Sequence, residues 1–152
     1  MRCWLGPAAA ALLLGCPSTP APPREAHATN LRVPLPDGWR AQSSQGALLV
    51  GPPGSPVLQL ESLSRDLPAL EQLTAPLKRE RVVVLSKEST DDLRVVRYRL
   101  GDGEEAFLAV HRLGARTVWC ATLKGAKGEA LGQALAVCKG LGAHDGGADE
   151  GG

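Results

Sequence analysis

A run of apolar residues at positions 5–14 follows Met1-Arg2-Cys3-Trp4, contains only the small Gly6 and Pro7 as exceptions, and stops at Gly15-Cys16-Pro17. One positive charge ahead of a short apolar stretch is the pattern of a secretory signal. Ten residues are half of the about 20 that a membrane-spanning helix needs, so this run is not expected to be a permanent span. The piece that follows carries Pro17, Pro20, Pro22 and Pro23 among Ser, Thr and Ala. Such a composition cannot build a core and tends toward extended polyproline structure. Residues 1–15 are therefore expected to leave as a signal peptide and residues 16–30 to act as a Pro-rich tether. Residues 144–152 are rich in Gly and acid, hold no large apolar side chain, and are expected to be disordered. What remains for folding is one domain at 31–143, roughly 110 residues and a usual size for a single core.

The junction Leu13-Leu14-Gly15-Cys16 resembles the lipobox of bacterial lipoproteins: an aliphatic residue, a tolerant position, a small residue, then the cysteine. Leu14 departs from the small residue commoner at its position in that family. The resemblance implies that Cys16 becomes the first residue of the mature chain and carries lipid on its thiol and, in many Gram-negative bacteria, on its amine. One acyl chain holds only marginally, whereas two or three anchor stably at about 0.8 kcal/mol per buried methylene. Pro17 stands where an Asp often marks inner-membrane retention in enterobacteria, which points to the outer membrane of the cell envelope. An ordinary secretory signal with a chance cysteine is the alternative.

Inside the domain, Leu31-Arg32-Val33-Pro34, residues 47–51 and Val57-Leu58-Gln59-Leu60-Glu61 read as strands, with Gly51-Pro52-Pro53-Gly54 turning between the last two. From Asp66, the spacing of Leu67, Leu70, Leu73 and Leu77 predicts a helix capped by Asp66 or Ser64 and ended or kinked at Pro76. Strands follow at 81–88, with Val82-Val83-Val84, and at 93–100, where Val96, Tyr98 and Leu100 share a face. Gly101-Asp102-Gly103-Glu104 and Gly114-Ala115 are turns that lead into strands at 105–112 and 117–123, which makes an antiparallel meander. A last helix at 127–141 aligns Leu131, Ala134, Leu135, Cys138 and Leu141. The order predicts an α+β fold with two helices packed on an antiparallel sheet.

That order, together with the opening Val33-Pro34-Leu35-Pro36-Asp37-Gly38-Trp39, resembles the fold shared by the photosystem II protein PsbP and bacterial DcrB-like lipoproteins. Those families are mainly binding or assembly factors, so the resemblance implies a binding role and names no ligand.

Of the four cysteines, Cys3 leaves with the signal and Cys16 takes lipid, so Cys120 and Cys138 are the pair left to form a disulfide. The compartment beyond the membrane lets such a bond persist. Two buried thiols that never meet are the alternative. There is no Cys-x-x-Cys to suggest redox catalysis.

Charge argues against a nucleic-acid partner: 17 Lys+Arg face 16 Asp+Glu, and loss of Arg2 evens them. Aromatics are only 3% of the chain, led by Trp39, Tyr98, Phe107 and Trp119, so a ring-lined cofactor pocket is not expected. His27, His111 and His144 have no ligand spacing for zinc. Pairing of His111 with Cys120 as a catalytic couple is weighed against a merely structural histidine. The acidic groups Asp91-Asp92, Asp102 and Glu104-Glu105 lack a calcium-loop spacing and read as solvated turns. Gly125-Ala126-Lys127-Gly128 precedes a helix without a Walker pattern, and no Gly-x-Ser-x-Gly elbow occurs. No metal, cofactor or catalytic residue is assigned. Arg94, Arg97 and Arg99 read as a basic edge of one strand, with Arg112 and Arg116 nearby, and are the candidate anion-binding residues; pairing with Glu104 and Glu105 is the plainer account. The expectation is a non-enzymatic envelope module that holds the membrane by lipid and binds another envelope component. An anion- or small-ligand-binding lipoprotein is the first alternative, and an uncharacterised envelope enzyme the second.

Overall fold

Residues two apart on a strand share a face, and in this chain both faces of one sheet carry apolar rows. The computed structural model describes the backbone of residues 24–28 and the whole of residues 31–143. The elements run β1 (Arg24–Ala28), β2 (Leu31–Leu35), β3 (Arg40–Ser44), β4 (Ala47–Gly51), β5 (Leu58–Leu63), α1 (Leu70–Thr74), a 3-10 turn at Leu77–Arg79, β6 (Val83–Ser89), β7 (Leu93–Arg99), β8 (Glu105–Leu113), β9 (Arg116–Thr122), α2 (Glu129–Lys139) and β10 (Gly142–Ala143). Seven strands form the main sheet in the order β3-β4-β5-β9-β8-β7-β6, and a small sheet has the order β1-β2-β10. Every pairing is antiparallel. This is the expected α+β architecture.

The meander β6-β7-β8-β9 folds back so that β9 pairs with β5 in the middle of the sheet. The chain between β5 and β6 must therefore cross from the centre to the far edge, and it does so over one face, with α1 packed on β7. Leu73 and Leu77 bury Val96 and Val110 there, with Leu70, Tyr98 and Leu108 around them. The opposite face is the larger core: Leu58 and Leu60 of β5, Val118 and Cys120 of β9, Phe107 and Ala109 of β8, and Val95 of β7 lie under α2, β2 and Trp39. From α2 come Leu131, Ala134, Val137 and Cys138. Each buried Leu or Val contributes roughly 1.5–3 kcal/mol by leaving water. Because Gly128 gives α2 no side-chain cap, burial rather than end capping holds this helix in place.

Three expectations need correction. The helix expected from Asp66 begins only at Leu70, because Pro68 disfavours helical backbone at Leu67. Neither Asp66 nor Ser64 caps it; instead the Gln72 side-chain oxygen accepts the Ala69 N–H at 2.9 Å. Its end before Pro76 is as expected, and Pro76 opens the 3-10 turn. Strand β3 is an addition to the expected elements, since Arg40-Ala41-Gln42-Ser43-Ser44 is an exposed edge without apolar alternation. It is joined to β4 through Gln45 (φ 48°) and Gly46 (φ 82°), two left-handed residues that match the twist of a two-residue hairpin. Within the segment read as a tether, Arg24–Ala28 pairs along β2 from Arg24↔Leu35 to Ala28↔Leu31, because β2 offers an edge that backbone groups of any composition can pair with. The signal, Cys16, the rest of the tether and the tail at 144–152 lie outside the described residues.

Cys120 and Cys138 are joined at an S–S distance of 2.04 Å, with Cα atoms 6.2 Å apart and a sequence separation of 18. Closing a loop of that length restricts the unfolded chain by about 3 kcal/mol. The double variant Cys120→Ala/Cys138→Ala is expected to lose about 2–4 kcal/mol in urea unfolding; a loss below about 0.5 kcal/mol would contradict the staple. Gly51 is constrained by space, since a Cβ there would sit 2.7 Å from the Val57 nitrogen and 2.8 Å from the Ser55 carbonyl oxygen. Gly51→Ala should cost about 2 kcal/mol or more, against about 1 kcal/mol for Gly46→Ala, where only the positive φ is strained.

Candidate functional site

A hollow of about 650 Å³ lies where the β7-β8 turn faces the start of α2. Ala126 and Leu131 form its apolar part, and Arg97, Asp102, Glu104, Glu105 and Lys127 supply its charges. Most of those charges are engaged. Glu105 accepts from Arg99 at 2.8 Å and lies 3.6 Å from Arg97. The hydrogen bond from Arg99, with the charges of both arginines, holds the Glu105 carboxyl below the usual carboxylate range. A side-chain oxygen of Glu104 accepts the Gly125 N–H at 2.7 Å, and Asp102 accepts the Glu104 N–H at 2.9 Å. The acidic turn thus ties the β7-β8 end to the loop before α2, with Asp102 closing the turn on itself by a local side-chain-to-backbone bond. Tyr98, half-buried on the other face, has its hydroxyl pKa raised by burial and by Glu80.

The three arginines expected to form one basic edge do not do so. Strand β7 pairs with β8 in unbroken register, Arg94↔Val110, Arg97↔Phe107 and Arg99↔Glu105. Period-two alternation puts Arg97 and Arg99 on the α2 face and Arg94 on the opposite one. Arg97 and Arg99 share Glu105, the cross-strand pairing weighed as the plainer account. Arg94 instead lies at the opposite end of the sheet, beside a hollow of about 380 Å³ lined also by Arg65, Arg112 and Arg116. The sequence named Arg112 and Arg116 as neighbours; Arg65, delivered by the loop after β5, carried no local signal.

His111 is structural. Its Nδ1 lies 3.1 Å from the carbonyl oxygen of Cys138, so the imidazole N–H serves one of the last-turn carbonyls of α2 that the helix itself leaves unsatisfied. Cys120 is consumed by the disulfide, which rules out the imagined Cys–His couple. The side chains of His27 and His144 and the whole of Cys16 lie outside the described residues. Among the described residues no three His, Cys, Asp or Glu side chains converge as a metal cluster, and no helix is long and apolar enough to cross a membrane.

No family model matches the chain, and no curated protein matches it. Among solved structures it is similar to the solution structure of a cyanobacterial PsbP (CyanoP) from Synechocystis, with a TM-score of 0.51 and 11% sequence identity over 91% of this chain and 99% of that one. At that identity the likeness speaks to architecture alone. The element order, the centrally paired β5 and β9 and the helices on opposite faces, taken with this likeness, make the fold PsbP-like.

Proposed function

We propose that this chain is a lipid-anchored protein of a bacterial cell envelope whose PsbP-like domain binds or assembles another envelope component without catalysing a reaction. The observation that carries the proposal is the Cys120–Cys138 bond. Disulfides persist in oxidising compartments beyond the cytoplasmic membrane. A motif that commits Cys16 to lipid and removes Cys3 with the signal leaves these two cysteines to pair with each other. Anchor and disulfide then belong to one account of export. Pro17 after the acylated cysteine favours the outer membrane over the inner. The families with this fold that the sequence resembles supply the binding role.

A second reading, a lipoprotein that binds an anion or small ligand, is favoured by the arginines gathered around the 380 Å³ hollow. It differs from the expectation in the residues it uses, because Arg97 and Arg99 are already occupied by Glu105.

Metabolic labelling with palmitate in an expressing bacterium tests the anchor. The chain is expected to incorporate label and to sediment with the outer-membrane fraction, and Cys16→Ala should lose both. Label that survives in Cys16→Ala would refute lipid attachment at that residue. In-cell cross-linking tests the binding role: a discrete envelope partner is expected, and recovery of the chain alone in every condition would count against it.

A further inference from the structure

We infer that Arg65, Arg94, Arg112 and Arg116 form a binding site for a phosphate-bearing ligand. The inference deepens the second reading above and does not depend on the lipid anchor. Four arginines line one hollow of about 380 Å³ from separate places in the fold: the loop after β5, the start of β7, the end of β8 and the start of β9, where Arg116 borders a second hollow as well. Sheet parity brings two of them together. Arg94 is opposite Val110 and Arg112 lies two residues further along β8, so both project from the α1 face as diagonal neighbours. Arg116 begins the adjoining strand.

Charge balance separates this place from the other end of the molecule. There, Arg97 and Arg99 share Glu105, with Asp102 and Glu104 beside them. Here only Arg112 has a carboxylate partner, Asp92, with its Nη2 at 2.9 Å. Asp66 and Asp91 also line the hollow, so four arginines face three aspartates, counting Asp92, and a local excess of positive charge remains. Among the described residues, Arg65, Arg94 and Arg116 make no ion pair. Like charges held together in excess of the nearby carboxylates repel one another, and a bound anion relieves that repulsion.

The hollow is also prepared for its ligand. The Arg94 guanidinium donates to the carbonyl oxygens of Thr90 and Leu93. Arg112 donates through Nε to Asp92 at 2.9 Å and through Nη2 to the carbonyl oxygen of Asp91 at 3.0 Å. Two forks are thus held in place while Arg65 and Arg116 remain available to close on an anion. All four cations are arginines, whose planar fork matches phosphate oxygens two at a time, as lysine does not.

The shared chemistry is a phosphate group, carried either on a soluble molecule or on a lipid headgroup. Calorimetry of the whole chain as purified from the expressing bacterium, in neutral detergent and titrated with inorganic phosphate, reads the first source. Sedimentation with vesicles of phosphatidylglycerol and phosphatidylcholine, against vesicles of phosphatidylcholine alone, reads the second. The anchor contributes equally to both vesicle types. We expect saturable binding of phosphate, or a preference for the anionic vesicles, that weakens at least about tenfold in Arg65→Glu/Arg116→Glu. It should fall with added salt and stay unchanged in Lys127→Glu, which reverses a charge at the other hollow. Both arginines are exposed, and the urea midpoint of the double variant checks that the fold is kept. Phosphate binding alone assigns a soluble ligand, and vesicle preference alone assigns a headgroup. Absence of both, or binding that survives the double variant, overturns the site. Failure here leaves palmitate labelling at Cys16 untouched, and failure of labelling leaves this result standing.

Discussion

The hold of the last helix on the central strand is the interaction that the rest of the domain depends on. Strand β9 is the middle strand of seven, and Cys120 stands at its buried centre, bonded to Cys138 in the last turn of α2. Four further contacts converge on the same helix end. His111 serves the Cys138 carbonyl, Lys139 pairs with Glu88 at 2.7 Å, Gly140 leaves room for Pro34 where a Cβ would approach to 2.9 Å, and β10 pairs with β2. The exposed ion pair contributes little to stability. Burial of Val137, Ala134 and Leu131 with the disulfide contributes most. Since β2 is itself the partner of β1, this one helix end joins the two ends of the described chain, and the larger core closes under it.

A domain built in this way separates its charges. At the β7-β8 end, acids and arginines neutralise one another and tie turn to loop, with Glu105 and Glu104 as the links. At the opposite end, arginines outnumber acids around an open hollow. Near-neutral composition conceals this difference, because the formal charge is a sum over the chain while binding responds to the local field. The fold therefore offers one stabilised end and one end with electrostatic potential left to meet an anion.

Much of the architecture was legible where burial imposes a period. Val96 and Tyr98, the row at Leu58 and Leu60, and the stripe Leu131, Ala134 and Cys138 each marked the face they occupy. Legibility failed where burial does not choose the residues. Edge strand β3 offers the core only Ala41, and β1 pairs through backbone groups inside a composition that reads as a spacer. The leucine spacing before α1 suggests an earlier helix start, but Pro68 disfavours helical backbone at Leu67, which packs at the rim of the smaller core from a non-helical backbone. The disulfide was legible by elimination, because few cysteines leave few pairings. The arginines proposed to bind an anion were half legible. Residues three apart on a strand face opposite ways, which divides Arg94 from Arg97 without any structure. The company Arg94 keeps depends on the path of the loop through Arg65, which no local pattern reveals.

The account joins two claims about cysteine chemistry: Cys16 carries lipid, and Cys120 is bonded to Cys138. Mass spectrometry of the protein isolated from bacterial membranes, alkylated without reduction and then digested, reads both at once. The account predicts an N-terminal peptide beginning at an acylated Cys16 and a linked pair of peptides containing Cys120 and Cys138, with neither thiol alkylated. A chain that retains residues 1–15 with an alkylated Cys16, or that alkylates at both Cys120 and Cys138, would contradict it.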